Sequence, residues 1–310
     1  MDATHRLAAA ITRAASLQTH VTIQCLVDRG RVPDAFRAYA YFRWVDDRLD
    51  QGQITPSERL TFLTRQQALL ENGYRGARPE DVSREECMLL ELIRSDTEAN
   101  SGLQLYLRQM MTVMAFDAER RGRLVSQAEL NEYTHCLATA VTEALHYFIG
   151  HDSPPPRSEA RYLAAAAAHI THMLRDTYED TAAGYFNIPR EQCEAGLGAA
   201  PDVDSVPYRA WVQSRVHLAR AYFAAGRRYL ARVESLRCRL AGYAYIARFE
   251  GLLDTIEQEG YRLRPEYSER KSPRGALSLV GSVLQSLSGP RAPRALPRAL
   301  PVGPHSTRKP

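Results

Sequence analysis

Two short acidic segments carry the residues best able to do chemistry. Asp46 and Asp50 stand four apart within Phe42-Arg43-Trp44-Val45-Asp46-Asp47-Arg48-Leu49-Asp50, and Asp176 and Asp180 repeat that spacing within Leu174-Arg175-Asp176-Thr177-Tyr178-Glu179-Asp180. Residues four apart on a helix share a face, one turn from each other. Like charges so placed repel, and each pair gains stability when a cation lies between them. Oxygen ligands in this pattern suit Mg2+, which takes one or two carboxylates, keeps several waters and accepts phosphate oxygens. The candidate metal ligands are Asp46, Asp47, Asp50, Asp176, Glu179 and Asp180. Either segment alone reads as a solvated helix end. Two of them, each set in apolar and aromatic sequence, point to a diphosphate and its Mg2+ ions gripped from both sides, because uncompensated buried carboxylates are costly.

The elements that must position these acids are helices. Apolar residues recur at three- and four-residue spacing over 3–26, 33–51, 57–71, 79–96, 102–121, 127–149, 158–183, 207–234 and 237–259. Turn chemistry falls between them, at Gly30 and Pro33, at Pro154 to Pro156 and at Pro201 to Pro207. Short connections and the absence of alternating strand patterns predict an all-α, single-domain bundle. The alanine-rich approach to the second acidic segment, Ala164 to Ala168, reads as a helix buried on most sides. From Ser272 the composition turns to Pro, Arg, Ala, Leu and Ser, so a catalytic domain over 1–271 is expected to precede a largely disordered tail over 272–310.

Composition narrows the function further. The net charge is +4, but the tail from Pro273 holds six basic residues and no acid, so the rest of the chain is slightly acidic and nucleic-acid binding is not indicated. At most, the tail makes peripheral contact with an anionic membrane surface. No apolar run is long enough to span a bilayer, and the N-terminus lacks the pattern of a signal peptide, so a cytoplasmic location is expected. Five scattered cysteines without paired spacing read as reduced core residues.

The two acidic segments and their surroundings resemble a known family. Tyr39-Ala-Tyr-Phe-Arg43-Trp-Val-Asp46-Asp47-Arg-Leu-Asp50 is similar to the first aspartate-rich motif of the squalene/phytoene synthases, and Leu174-Arg175-Asp176 through Glu179-Asp180, Gly184 and Pro189 to the second. The resemblance runs from about Ser16 to Arg270. It implies an isoprenoid-synthase bundle around a central cavity, a prenyltransferase activity, and Asp46, Asp50, Asp176 and Asp180 holding Mg2+ and an allylic prenyl diphosphate. Tyr39, Phe42, Arg43 and Arg175 would lie near the phosphate end.

Departures from the family pattern bear on the second substrate. His169 and His172 replace Gln and Asn before the second motif, and Gly184-Tyr185 replaces Gly-Arg. Phe249 and Glu266 stand where relatives place Tyr and Arg, with Tyr245, Arg264 and Arg270 close enough in sequence to substitute. Along the expected hydrocarbon tunnel, Thr139, Thr142, Glu143 and His146 add polar groups. Fewer cations imply fewer phosphates held. The favoured reading is transfer of a short prenyl group to an electron-rich aromatic acceptor, as in the carbazole-type subgroup, with His172 or a nearby acid taking the ring proton. The alternatives are head-to-head condensation of two prenyl diphosphates and a non-catalytic scaffold of the same fold. Asp117, preceding Glu119-Arg120-Arg121, reads as a charged helix end as readily as a site residue.

Overall fold

Serine and threonine set most of the helix starts. Ser16, Thr55, Ser83, Ser101, Ser126, Ser205 and Ser235 each accept a backbone N–H from three residues on, and at Thr55, Ser83 and Ser126 a glutamate completes the reciprocal capping box. A computed structural model describes residues 3–50, 54–77, 79–200 and 202–267. The elements are α1 (Ala3–Ala15), α2 (Leu17–Leu26), α3 (Val32–Asp50), α4 (Pro56–Tyr74), α5 (Arg84–Ser95), α6 (Gly102–Arg120) and α7 (Gln127–Phe148). A 3-10 turn (Glu159–Tyr162) then leads into α8 (Leu163–Arg175), α9 (Thr177–Ala182), the single turn α10 (Arg190–Gln192), α11 (Val206–Leu230) and α12 (Leu236–Gln258). No strand occurs among the described residues, and no helix is long and apolar enough to cross a membrane. The tail expected over 272–310 lies outside the described residues.

Helix α8 is the central post, with Ala165 to Ile170, Thr171, Met173 and Leu174 all buried. Its alanines let α7, α11 and α12 close around it. A close approach is at Gly226 of α11, where an added Cβ would stand 2.7 Å from Ala164 Cβ and 3.1 Å from its backbone. Helix α6 ties the two acidic segments into one body. On one side Tyr106 stacks edge-on to Phe42 of α3 at 5.4 Å and donates to Ala38 O at 3.2 Å. At its far end, Gly122 N–H donates to Gly184 O at 2.8 Å, beyond the second acidic segment.

Three boundaries differ from the sequence expectation. The segment 3–26 breaks at Ser16, whose hydroxyl caps α2. The segment 79–96 starts later, at Arg84, behind its Ser83 cap. The segment 158–183 divides at Asp176 because the Thr177 hydroxyl donates to Met173 O (2.7 Å) and Leu174 O (3.0 Å), a back-bond that bends helices. All five cysteines are free, yet only Cys136 and Cys238 are buried, which corrects the expectation that they are core residues. The tight crossing at Gly226 yields a test: Gly226→Val should cost about 1–3 kcal/mol of stability through overpacking, read as a lowered urea midpoint.

Candidate active site

Asp46 and Asp50 end α3, and Asp176 caps α8 before Asp180 follows in the first turn of α9. The C-terminal end of a helix carries partial negative charge, so Asp46 and Asp50 add to an unfavourable field. The second segment reaches the first directly: the chain turns at Gly184 (φ +88°), and Tyr185 donates its hydroxyl to Asp50 Oδ1 at 3.4 Å.

Between the pairs stands Asp117 of α6. Its Oδ1 accepts from Arg120 Nε at 2.7 Å and its Oδ2 from the Tyr133 hydroxyl at 2.8 Å. Arg120 Nη1 donates to Asn187 Oδ1 (2.9 Å), and Asn187 Nδ2 donates to Asp180 Oδ2 (2.5 Å), so one hydrogen-bonded chain links α6 to the second pair. The carboxylates feel one another. Burial pushes Asp46 up to about 6, helped by Asp50, Asp117 and Asp47 against Arg43. Burial likewise pushes Asp180 up to about 6, with Asp176 and Asp117 adding and Asn187 and Arg120 opposing. Asp117 is raised by burial and by Asp50, although Arg120 and Tyr133 oppose the shift.

Asp47 and Asp176 already have cations. Exposed Asp47 pairs with Arg43, whose Nη1 also stands 3.4 Å from Asp46 Oδ2, and Asp176 pairs with Arg175. Glu179 is exposed. Tyr39 is half-buried one turn before Arg43, whereas Phe42 is in the core. His172 packs on Phe249 at 4.7 Å, and Phe249 on Tyr245 at 5.0 Å, so α12 makes a continuous aromatic wall leading away from Asp176. Buried His169 meets Tyr133 edge-on at 4.8 Å, and its pKa is pushed down to about 3 by burial and by the neighbouring His172, Arg120 and Arg215.

The remaining residues expected at the site lie at the opposite end of α8. Thr142, His146 and Tyr245 line a cavity of about 240 Å³ among α2, α7, α8, α11 and α12. Glu143 stands behind it, held by Arg161 (2.7 Å) and the Tyr162 hydroxyl (2.9 Å). Thr139 is buried one turn before them. Asp117, Tyr133, Tyr185 and Asn187 are the parts that sequence reading did not assign to the site. Asp117 and Tyr185 carried a signal in the sequence, Asp117 as an acid before a charged helix end and Tyr185 as a replacement for an arginine, but distance in the chain concealed their partners.

Among the described residues, no three His, Cys, Asp or Glu side chains converge closely enough to make a metal cage. The donor set nonetheless fits a hard cation, because Asp46, Asp50, Asp117 and Asp180 are oxygen donors whose mutual repulsion the protein leaves under-neutralised. This has a pH signature. Folded-state values near 6 lie above the unfolded ones near 4, so the folded chain keeps protons that the unfolded chain has released between those limits, and stability falls as pH rises through that window. Asp180→Asn, whose amide oxygen can still accept from Asn187, should therefore melt about 2 °C or more above the parent at pH 7.5 without added metal, with the difference vanishing near pH 4.

The family model for squalene/phytoene synthase matches residues 12–275. Among solved structures, squalene synthase HpnC from Alicyclobacillus acidocaldarius is similar at 19% identity and TM-score 0.66, over 84% of this chain and 95% of that one. A dehydrosqualene synthase solved with a ligand is similar at 17% identity and TM-score 0.68, over 92% and 96%. No curated protein sequence matches the chain. The structural likenesses show the shared helical fold, and the family match spans both acid pairs and the walls around them: the chain is a member of the squalene/phytoene synthase family of prenyltransferases.

Proposed function

We propose that this prenyltransferase ionises a short allylic diphosphate at the paired acids, with Mg2+ as cofactor, and transfers the prenyl group to an electron-rich aromatic carbon. Mg2+, when bound, would neutralise charge on the leaving diphosphate, and Asp46, Asp50, Asp176 and Asp180 are the residues that would hold it, with Asp117 beside them. Arg43 and Arg175 lie where they can swing from their carboxylate partners onto phosphate oxygens. The C1–O bond breaks with its electron pair leaving on the diphosphate, the aromatic carbon attacks C1, and the ring proton departs to a base. His172, one turn before Asp176 and packed on Phe249, is the proposed acceptor of that proton. The aromatic wall shelters the allylic cation from water.

The observation that carries the aromatic reading is the fate of the cations that a second diphosphate would need. Tyr185 occupies the position of the family's arginine and donates to Asp50. Phe249 packs on His172, so neither position offers a cation. Head-to-head condensation is the second reading, favoured by the names of the similar structures, a squalene synthase and a dehydrosqualene synthase.

Product analysis separates the two. With Mg2+ and dimethylallyl diphosphate, diphosphate release should depend on an added aromatic acceptor and yield its prenylated derivative. A C30 hydrocarbon made from farnesyl diphosphate alone would overturn the aromatic reading. Asp46→Asn and Asp176→Asn should each lower kcat by about 100-fold or more with the helical spectrum unchanged.

A further inference from the structure

The cavity at the far end of α8 has apolar walls, including Val141, Leu145, Ala164 and Leu230, and two guanidiniums line it, those of Arg161 and of Arg248, which lies 5.5 Å from the Phe249 ring centre. Arg161, from the 3-10 turn that leads into α8, lines this space. Its Nη2 lies 2.7 Å from Glu143 Oε1, which also accepts from the Tyr162 hydroxyl, and the guanidinium lies 5.2 Å from the Tyr162 ring centre. Glu143 and Tyr162 thus hold Arg161 in place. Its Nε is enclosed without a hydrogen-bond partner. Nearby His146 is already committed, with Nε2 2.9 Å from the Tyr229 hydroxyl and Nδ1 3.5 Å from Cys238 Sγ. Burial first, and then the charge of Arg161, push its pKa down to about 4, so it is neutral near pH 7.

A hydrocarbon tail lying here would leave the Arg161 Nε desolvated and unpaired, which is unfavourable. An occupant with an oxygen acceptor satisfies it, while Tyr229 and Tyr245 in the wall suit a flat ring. Helix α8, thirteen residues long, separates this cavity from Asp176 by roughly 20 Å.

We infer that this cavity is the acceptor subsite, taking a planar aromatic molecule whose phenol or carbonyl oxygen accepts a hydrogen bond from Arg161, with Glu143 and Tyr162 as positioning residues. The inference deepens the aromatic-acceptor reading and rests on it.

Equilibrium dialysis of the full-length protein against 2-naphthol and 2-methylnaphthalene, two probes of one shape that differ in the oxygen, tests it. The parent should bind 2-naphthol about 10-fold or more tightly than 2-methylnaphthalene, and Arg161→Met should abolish that preference while leaving 2-methylnaphthalene binding unchanged. Arg161→Lys, which keeps charge but loses the planar fork, should fall between them and serves if the methionine variant does not fold. Equal affinity for both probes in the parent, no binding of 2-naphthol, or a preference that survives both substitutions would overturn the subsite. An Arg161-dependent preference in a protein that prenylates no aromatic acceptor would leave the oxygen-binding site standing and remove the reading of function beneath it.

Discussion

Repulsion among carboxylates at converging helix ends is the constraint around which this bundle is arranged. Asp46 and Asp50 sit at the negative end of α3, Asp176 at that of α8, and Asp117 stands between them. The arginines present answer only part of this charge, because Arg43 and Arg175 pair with Asp47 and Asp176 and leave Asp46 and Asp180 with pKa values near 6. A fold that keeps such a cluster spends stability on a site whose relief comes from a bound cation and the phosphate it carries.

The scaffold around the cluster is built to hold this strain. Helix α8 is small-sided, so α7 and α11 pack against it directly and α12 closes over it, and the Ala164–Gly226 contact shows how little space is left. Helix α6 takes the lateral load, holding α3 through Tyr106 and the second acid pair through Arg120 and Asn187. Neither motif could be aimed at the other by local structure alone.

The departures from the family pattern also fit together once seen in space. Tyr185, in place of an arginine, spends its hydroxyl on Asp50 and lies beneath the guanidinium of Arg120, 4.9 Å from its ring centre. At the other end of α8, Glu143, which reads in sequence as a stray acid in a tunnel wall, is the anchor of Arg161.

Much of this was legible in the residues alone. Apolar periodicity determines the helices, because it acts within a few residues, and the four-residue spacing of Asp46, Asp50, Asp176 and Asp180 determines that each pair can share a cation. What depends on distant partners was not legible. The bend at Asp176 follows from the Thr177 hydroxyl choosing carbonyls in its own helix, a choice that a threonine in sequence does not declare. The role of Asp117 follows from Tyr133 and from acids about 60 to 70 positions away in either direction, and that of Arg161 from an acid one helix earlier. Local propensity acts through neighbours in the chain, whereas the charge and burial that give a carboxylate or a guanidinium its chemistry are set by whatever the packed helices bring beside it.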